Sequence, residues 1–367
     1  MTQCPDCHHS VDIDLSQEPK IIQQTEIVQV SIDIEEHRAH AYWCNNCGQH
    51  HSAEFPAEVV KEGLFKVQLT SFVAYMKNVC HCSYSNIRKY IRDVLHLKVS
   101  RGNLSKLIQK VSCSLAGSYE EFLRIIPYAT EINIDETGHT VNGDKYWTLA
   151  FKTDLYMLFK IEKSRGSQVL IEILGKEFNG ILGYDHFSAY IKYMKVFNVI
   201  VQFCTAHLIR DFKYLSSLTD EETKIYGEKL LSSAKKLFRI IHKKDNPETS
   251  IRQAMSEKNF IAALTQAKEQ IIKIAINDLP YFINDEGKVV NKMVNRFTDN
   301  SKAYFDFITS PGVDPTNKTA EQDIRFIVID RLVTQGTQSE NGRKANIRLW
   351  TVIAIYTLQE KVLLNLY

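Results

Sequence analysis

The sequence lacks any run of about 18 consecutive apolar residues, the length that a helix needs to span a membrane. Its first residues, Met1-Thr2-Gln3-Cys4, also lack the charged and then apolar segments of a secretory signal. Neither an internal repeat nor a low-complexity stretch is evident. These absences exclude a membrane-spanning protein and a repeat protein, and we expect a cytoplasmic globular chain without a membrane partner.

An excess of charge of one sign is also missing, because 45 Lys or Arg face 43 Asp or Glu, for a net charge of +2. A nucleic-acid interface must therefore be sought in local clusters. One cluster lies between residues 77 and 110, where the single acid is Asp93. Its basic residues are Lys77, Arg88, Lys89, Arg92, Lys98, Arg101, Lys106 and Lys110. DNA contact is expected in this segment.

Cysteine is present in two Cys-x-x-Cys pairs, Cys4 with Cys7 and Cys44 with Cys47, separated by 36 residues. A long cytoplasmic chain does not suit a disulfide scaffold, whereas four thiolates suit a closed, tetrahedral structural zinc. The alternating sequence of residues 26–34 between the pairs predicts a strand. We interpret residues 1–55 as a zinc ribbon. His50 and His51 could replace a ligand, although a surface position suits them better.

Helical spacing of apolar residues predicts a helical domain over residues 56–125. Ser83 is placed to cap a helix over 84–95, and Ser100 to cap a second helix over 101–112, as in a helix-turn-helix. The second helix would bury Leu104, Leu107, Ile108 and Val111. The predicted DNA-binding residues are Arg88, Lys89, Arg101, Asn103, Lys106 and Lys110. The alternative is a helical hairpin whose basic face is merely solvated.

From residue 126 the pattern changes to short strands and helices in the order β-β-β-α-β-α-β, ending in a strand over 199–204. The strands are expected at 130–136, 145–152, 155–162, 180–184 and 199–204, with a turn at Asn142-Gly143-Asp144. Residues 205–304 are rich in lysine and helical in pattern, so we interpret them as a helical insertion. Residues 305–367 return to the core and end in a helix. At 367 residues, such a division into several domains is expected.

Two acids follow apolar runs within this core, Asp135 after Ile132-Asn133-Ile134 and Asp185 after residues 181–184. Each carboxylate is expected to emerge at a strand end. A third acid, Glu321, shares a predicted helix face with Asn317 and Arg325. Three converging carboxylates can bind Mg²⁺ or Mn²⁺ for phosphodiester chemistry.

Other residues compete for these roles, since a chain with many acids places some at strand ends by chance. The competing acids are Glu136, Asp144, Asp211, Asp323 and Glu340. His207 could line the site or be structural, and these two interpretations weigh equally. Arg210 and Arg325 are candidate contacts for DNA phosphates.

The chain resembles the insertion sequence 66 family of transposases over most of its length. The resemblance is carried by the cysteine segment with Glu36-His37-Arg38, by Asp135-Glu136-Thr137-Gly138 with Val141-Asn142-Gly143, by Ser164-Arg165-Gly166-Ser167, and by residues 184–190, 204–211 and 317–325. The family's usual Arg-Lys-Asn run is replaced here by Arg331-Leu332-Val333.

The resemblance implies an RNase H-like α/β core and an Asp-Asp-Glu triad at Asp135, Asp185 and Glu321. It also implies magnesium-dependent cleavage and strand transfer on double-stranded DNA at element ends and target, a homo-oligomer on DNA, and accessory transposition proteins. Two alternatives stay open: a decayed transposase that binds DNA as a regulator, and a structure-specific nuclease with the same core. The expected domains are a zinc ribbon (1–55), a helical DNA-binding domain (56–125), the catalytic core (126–204 and 305–367) and the helical insertion (205–304).

Overall fold

The computed structural model describes residues 6–10, 22–25, 32–244, 257–280, 287–310 and 312–359. The chain divides into two compact units, residues 1–55 with 90–98, and residues 56–89 with 99–367. None of the described helices combines the length and the apolar character that crossing a bilayer requires.

The first unit contains one antiparallel hairpin, formed by β1 (Ala41–Cys44) and β2 (Gln49–Ser52). The hairpin pairs Cys44 with Gln49 at its tight end, where Gly48 has a left-handed φ of 64°. Residues 26–31 of the predicted strand lie outside the described residues, and residues 32–34 have no regular secondary structure. The strand prediction is therefore wrong for the part that is described.

Five helices precede the sheet: α1 (Ala57–Glu62), α2 (Val67–Asn78), α3 (Tyr84–Asp93), α4 (Arg101–Ser114) and α5 (Ala116–Ile125). Both predicted caps are confirmed, since Ser83 Oγ accepts from the Asn86 N–H at 3.2 Å and Ser100 Oγ from the Asn103 N–H at 3.1 Å. The predicted apolar face of α4 is also confirmed, because Leu104, Leu107, Ile108 and Val111 are all buried.

The central sheet has five strands in the order β5-β4-β3-β6-β7. The first three pair antiparallel, whereas β6 pairs parallel with both β3 and β7. The strands are β3 (Glu131–Val141), β4 (Asp144–Lys152), β5 (Met157–Glu162), β6 (Ile181–Tyr184) and β7 (Ile200–Phe203). The predicted order is confirmed, with α6 (Ser167–Leu174) before β6 and α7 (Ser188–Phe197) before β7.

The turn predicted between β3 and β4 is also present. Asn142 and Gly143 both have left-handed φ, 51° and 86°, as a two-residue hairpin turn requires. Such a turn matches the right-handed twist of its strands and therefore fixes their register.

Most of the described part of residues 205–300 is helical, as the sequence predicts. They form α8 (Thr205–Leu215), α9 (Glu221–Lys244), α10 (Glu257–Asn277) and α11 (Gly287–Asn300). Apolar faces hold these helices together, and Phe212, Tyr226 and Phe297 are almost fully buried. The buried Tyr226 hydroxyl donates to the Ala275 carbonyl at 2.9 Å, which links α9 to α10.

The chain then returns to the sheet through α12 (Lys318–Thr334) and α13 (Glu340–Leu358). Trp350 of α13 is fully buried, and its ring meets that of Phe159 of β5 edge to face. The Thr351 hydroxyl accepts the Phe159 N–H at 3.1 Å. This packing fixes α13 against β5, while α12 lies against β3 and β4.

Candidate active site

Asp135 lies in the middle of β3, so the prediction that it ends a strand is wrong. The hairpin partner β4 continues to pair past it, with Asp135 opposite Ala150 and Gly138 opposite Trp147. Polar residues do not end a strand when a neighbouring strand still satisfies their backbone hydrogen bonds. The parallel partner β6 pairs with β3 only up to Asn133. Asp135 therefore lies beyond the last residue of β3 that pairs with β6.

Asp185 follows β6 directly, as the sequence predicts. Asn133 pairs with Gly183 in the parallel register. Continued by two residues, this register places Asp185, the residue after β6, beside Asp135 of β3. One of its carboxylate oxygens, Oδ1, is buried and has no hydrogen-bond partner among the described residues. Such an orphaned carboxylate oxygen is available to a ligand.

Glu321 reaches this place from the first turn of α12. Asn317 is the residue before that helix and not part of its face as predicted, and its side-chain amide donates to the Ile134 carbonyl at 2.7 Å. This hydrogen bond fastens the start of α12 beside the residue that precedes Asp135. Arg325, one turn further along α12, is exposed.

The carboxylates of Asp135, Asp185 and Glu321 are close enough for their charges to affect the pKa values of the two aspartates. Burial raises the pKa of Asp135 to about 7, and the negative charges of Glu136, Glu321 and Asp185 add to that rise. Burial also raises the pKa of Asp185, where the neighbouring His207 and Arg165 oppose the rise and Glu321 adds to it. Carboxylates with raised pKa values that lie near one another form an environment that favours a bound cation.

Glu136 points to a separate set of partners, which the sequence did not reveal. Its buried carboxylate accepts a hydrogen bond from the Arg165 guanidinium at 2.8 Å and another from the Tyr190 hydroxyl at 2.8 Å. The guanidinium lies between the rings of Trp147 and Phe187, 3.9 Å and 4.2 Å from their centroids. Glu136 is thus committed to Arg165 and Tyr190, and it supports the segment around Asp185 through Phe187.

Cys204 and His207 lie beside Glu321. The His207 Nδ1 atom is 3.3 Å from Glu321 Oε1, and the Cys204 Sγ atom is 3.8 Å from the same oxygen. These three residues form a group whose ligand atoms all lie within 4.8 Å of one another. The sequence alone did not decide between a site-lining and a structural role for His207, and Cys204 belongs to neither Cys-x-x-Cys pair. The spacing Cys-x-x-His was the signal that could have found the pair.

The competing acids have other partners or positions. Asp323 pairs with Lys152, Asp211 pairs with Arg296 at 2.5 Å, and Glu340 pairs with Arg343 at 2.7 Å at the start of α13. Asp144 is exposed at the hairpin between β3 and β4. Pairing and position therefore favour Asp135, Asp185 and Glu321 over these four.

The predicted DNA-binding side chains are mostly on the surface. Arg88 and Lys89 of α3, Arg101, Lys106 and Lys110 of α4, and Arg210 of α8 are exposed, whereas Asn103 is half-buried. Within the basic segment, Lys77 is instead buried and lies 3.6 Å from the buried carboxylate of Asp330. Lys77 therefore has a structural role that its place in the cluster did not indicate.

The predicted zinc ligands are described only in part, because Cys4 lies outside the described residues. Cys44 and Cys47 lie at the tight end of the hairpin, where the Gly48 N–H donates to the Cys44 carbonyl at 2.9 Å. Hydrogen bonds lower the pKa of Cys44, the backbone N–H of Cys47 having the largest effect. The Cys47 Sγ atom is 3.5 Å from His51 Nε2, and Cys7 is exposed.

Comparison with known families gives a match to the family described as Transposase IS66 family, over residues 62–345. The chain belongs to the IS66 transposase family. The match begins in α1, includes the whole five-stranded sheet and Glu321, and ends in α13. Membership confirms the resemblance that the sequence motifs indicated, and it assigns the chain a general role in transposition. A search of the curated proteins finds no match.

Proposed function

We propose that this IS66 transposase cleaves double-stranded DNA at element ends and joins the freed ends to target DNA, with Asp135, Asp185 and Glu321 as its catalytic triad. The proposal rests on one observation: Asp135 in β3, Asp185 after β6 and Glu321 at the start of α12 lie near enough for Glu321 to raise the pKa values of both aspartates. The strand order with two parallel and two antiparallel pairings supports an RNase H-like core. Among the competing acids, Glu136, Asp211, Asp323 and Glu340 each pair with an Arg or Lys, and Asp144 lies at the exposed hairpin.

A divalent cation such as Mg²⁺ or Mn²⁺ fits the triad, because hard oxygen ligands suit these ions and the orphaned Asp185 Oδ1 is one of them. When bound, the metal ions activate the attacking oxygen and stabilise the leaving oxygen of a phosphodiester. Asp135 and Asp185 are fixed by the register of β3 and β6. Glu321 is fixed by the Asn317 hydrogen bond to β3. The chain thus orients its carboxylates before DNA arrives, which lowers the cost of assembling the site.

The proposed reaction has two steps without a covalent link to the protein. In the first, water attacks phosphorus and the bond to the 3′ oxygen breaks, so that a 3′ hydroxyl and a 5′ phosphate are released. In the second, the 3′ hydroxyl attacks a target phosphodiester and displaces one of its oxygens. Arg325, exposed on α12 one turn beyond Glu321, is proposed to contact a DNA phosphate, and so is Arg210.

The remaining parts are proposed to deliver DNA to this site. Residues 1–55 would form a zinc ribbon with Cys4, Cys7, Cys44 and Cys47, a role that the hairpin position of Cys44 and Cys47 supports. Residues 56–125 would bind DNA through the exposed basic side chains of α3 and α4. The sheet with 305–367 is the proposed catalytic core, and 205–304 the insertion. A homo-oligomer that pairs two element ends and accessory proteins complete the proposal.

The test is an assay of the purified protein on a plasmid that carries its own genomic flanks, with Mg²⁺ or with EDTA. Wild type is compared with Asp135→Asn, which keeps the size of the side chain and removes its charge. We expect joined products with Mg²⁺ in wild type only, and a decrease of at least about a hundredfold in the variant, as for loss of a main catalytic electrostatic contact. Matched melting temperatures of the two proteins would show that the fold is retained.

Three results would contradict the proposal. Equal cleavage by wild type and Asp135→Asn would remove that residue from the site. DNA binding without cleavage under every metal condition would favour a regulator. Cleavage that never gives a joined product would favour a nuclease.

A further inference from the structure

Glu321 has a second set of neighbours that is unlike the oxygen ligands of the proposed triad. The His207 Nδ1 and Cys204 Sγ atoms lie 3.3 Å and 3.8 Å from its Oε1 atom. Around a tetrahedral zinc, with Zn–S of about 2.3 Å and Zn–N and Zn–O of about 2.0–2.2 Å, ligand atoms lie roughly 3.2–3.7 Å apart. The separation between His207 and Glu321 lies within this range, the separation between Cys204 and Glu321 lies just beyond it, and all three ligand atoms lie within 4.8 Å of one another.

The contact between His207 and Glu321 also resembles the contact between two ligands of one metal ion. Although the two atoms are only 3.3 Å apart, the buried Nδ1 makes no hydrogen bond with any described residue. A nitrogen and an oxygen that approach closely without hydrogen-bond geometry are arranged as ligands that face a common point.

The protein holds the three residues at the starts of two helices, α8 and α12. Cys204 precedes α8 and its N–H donates to the Tyr184 carbonyl at 2.8 Å, while His207 is three residues further along, in the first turn of α8. The buried Sγ atom accepts the Asn317 N–H at 3.2 Å, at the start of α12. This hydrogen bond fixes the position of the sulfur, although burial raises the pKa of the thiol. A bound cation would supply the charge that favours the thiolate, the form that binds metals.

The site is open on one side. Cys204 is almost fully buried, whereas the side chains of His207 and Glu321 are 30% and 26% exposed. Three protein ligands with one accessible position are typical of a zinc site that accepts a further ligand, in contrast to a closed four-cysteine site.

We propose that Cys204, His207 and Glu321 bind one borderline divalent cation, Zn²⁺, for which Co²⁺ is the spectroscopic substitute. Thiolate and imidazole select Zn²⁺ or Co²⁺ over Mg²⁺, which prefers oxygen ligands only. The Glu321 side of the proposed active site would then hold a different metal from the side formed by the two aspartates. This consequence for catalysis rests on the proposed function, whereas the metal binding does not.

The test is a Co²⁺ titration of the metal-free, full-length protein, followed by absorption spectroscopy and by the number of ions bound per chain. We expect Cys204→Ser and His207→Gln each to bind one Co²⁺ fewer than wild type and to lose the absorption of a site with one thiolate. Any absorption from the four paired cysteines is common to all these proteins and cancels in the difference. Excess Mg²⁺ should not displace this ion, whereas Zn²⁺ should.

One control variant and one variant of the third proposed ligand complete the experiment. Cys113→Ser removes an exposed thiol of α4 and should bind as many ions as wild type. Glu321→Gln should bind this Co²⁺ at least about tenfold more weakly, as for loss of one ligand or its support. Melting temperatures measured without metal show whether each variant is folded, and Cys204→Ala replaces Cys204→Ser if the latter is not.

The proposal is overturned if wild type, Cys204→Ser and His207→Gln, all folded, bind the same number of ions with the same spectrum. This outcome leaves the proposed function intact if Mg²⁺-dependent joining still requires Asp135. Conversely, Asp135→Asn should keep the Co²⁺ ion, so loss of function and loss of this metal site are separate observations.

Discussion

Arg165 and Glu136 form an ion pair whose two sides differ in exposure, since the Glu136 side chain is 7% exposed and that of Arg165 is 35% exposed. Removing one partner of a buried pair costs about 3–5 kcal/mol, and the partial exposure of Arg165 lowers the expected cost here to about 2 kcal/mol. We expect Arg165→Met to destabilise the protein by about that amount, as measured by urea unfolding.

The double variant Arg165→Met/Glu136→Gln should regain part of this loss, because it leaves no buried charge without a partner. Arg92→Met is the matched control, since both side chains of its pair with Asp93 are exposed and the pair should contribute little to stability. A double variant that is as unstable as the sum of its two single variants would show that the pair is not coupled.

The residues of the candidate site could be predicted unequally well. Asp185 was predicted at the end of a strand because the apolar run before it is short and ends there. The contacts of Glu136 were not predictable from the sequence. Its partner Arg165, and the Trp147 and Phe187 rings beside that guanidinium, come from different parts of the chain and meet only in the folded protein. Cys204 and His207 were visible as a spacing, but the partner that makes the spacing meaningful, Glu321, lies more than a hundred residues away.

At the scale of elements, the loop between α12 and α13 is held against β3 by two backbone hydrogen bonds, Thr337 N–H to the Thr140 carbonyl at 2.9 Å and Asn142 N–H to the Thr337 carbonyl at 2.7 Å. Gly336, with φ of 95°, precedes Thr337, and a Cβ there would lie 2.2 Å from the Thr140 carbonyl oxygen. The close approach of the loop to β3 therefore requires glycine at this position.

Gly336→Ala is expected to destabilise the protein by about 3 kcal/mol, through left-handed strain of about 1–2 kcal/mol and displacement of the loop. Gly312→Ala is the matched control, because Gly312 has a similar φ of 89° but nothing within 4 Å of the added Cβ. The free energy of unfolding of the control should decrease only by the amount of the left-handed strain. Equal midpoints of urea unfolding for the two variants would contradict the close approach.

Element types were predicted better than their ends. The caps at Ser83 and Ser100 and the turn at Asn142-Gly143 were predictable because each depends on a few neighbouring residues. The end of β3 was predicted too early, since its length depends on pairing with β4 and not on its own polarity. Long-range pairing is the information that local patterns do not contain.

At the scale of the whole molecule, a nearly neutral chain is expected to bind DNA through local charge. We expect the triple variant Arg101→Ala/Lys106→Ala/Lys110→Ala to decrease the slope of log K against log salt by about 2–3, because each phosphate contact releases close to one counterion. The measurement is a filter-binding or anisotropy titration on element-end DNA at several salt concentrations.

Lys235→Ala/Lys236→Ala/Lys258→Ala is the control, since it removes three exposed charges from α9 and α10 and leaves α4 unchanged. Its slope should equal that of wild type. If both triple variants change the slope equally, binding depends on total charge, and α4 is not a specific interface.

The order of the elements along the chain has a consequence for protein synthesis. The sheet, with Asp135 and Asp185, is complete when β7 has left the ribosome, but Glu321 arrives only with α12, after the whole of α8 to α11. At ordinary translation rates, the intervening stretch takes roughly ten seconds to make. Under the proposed mechanism, a nascent chain in that interval holds two of the three catalytic acids and lacks the third that cleavage requires. By the same mechanism, a chain that stops within the helical insertion would leave the DNA nearby uncut.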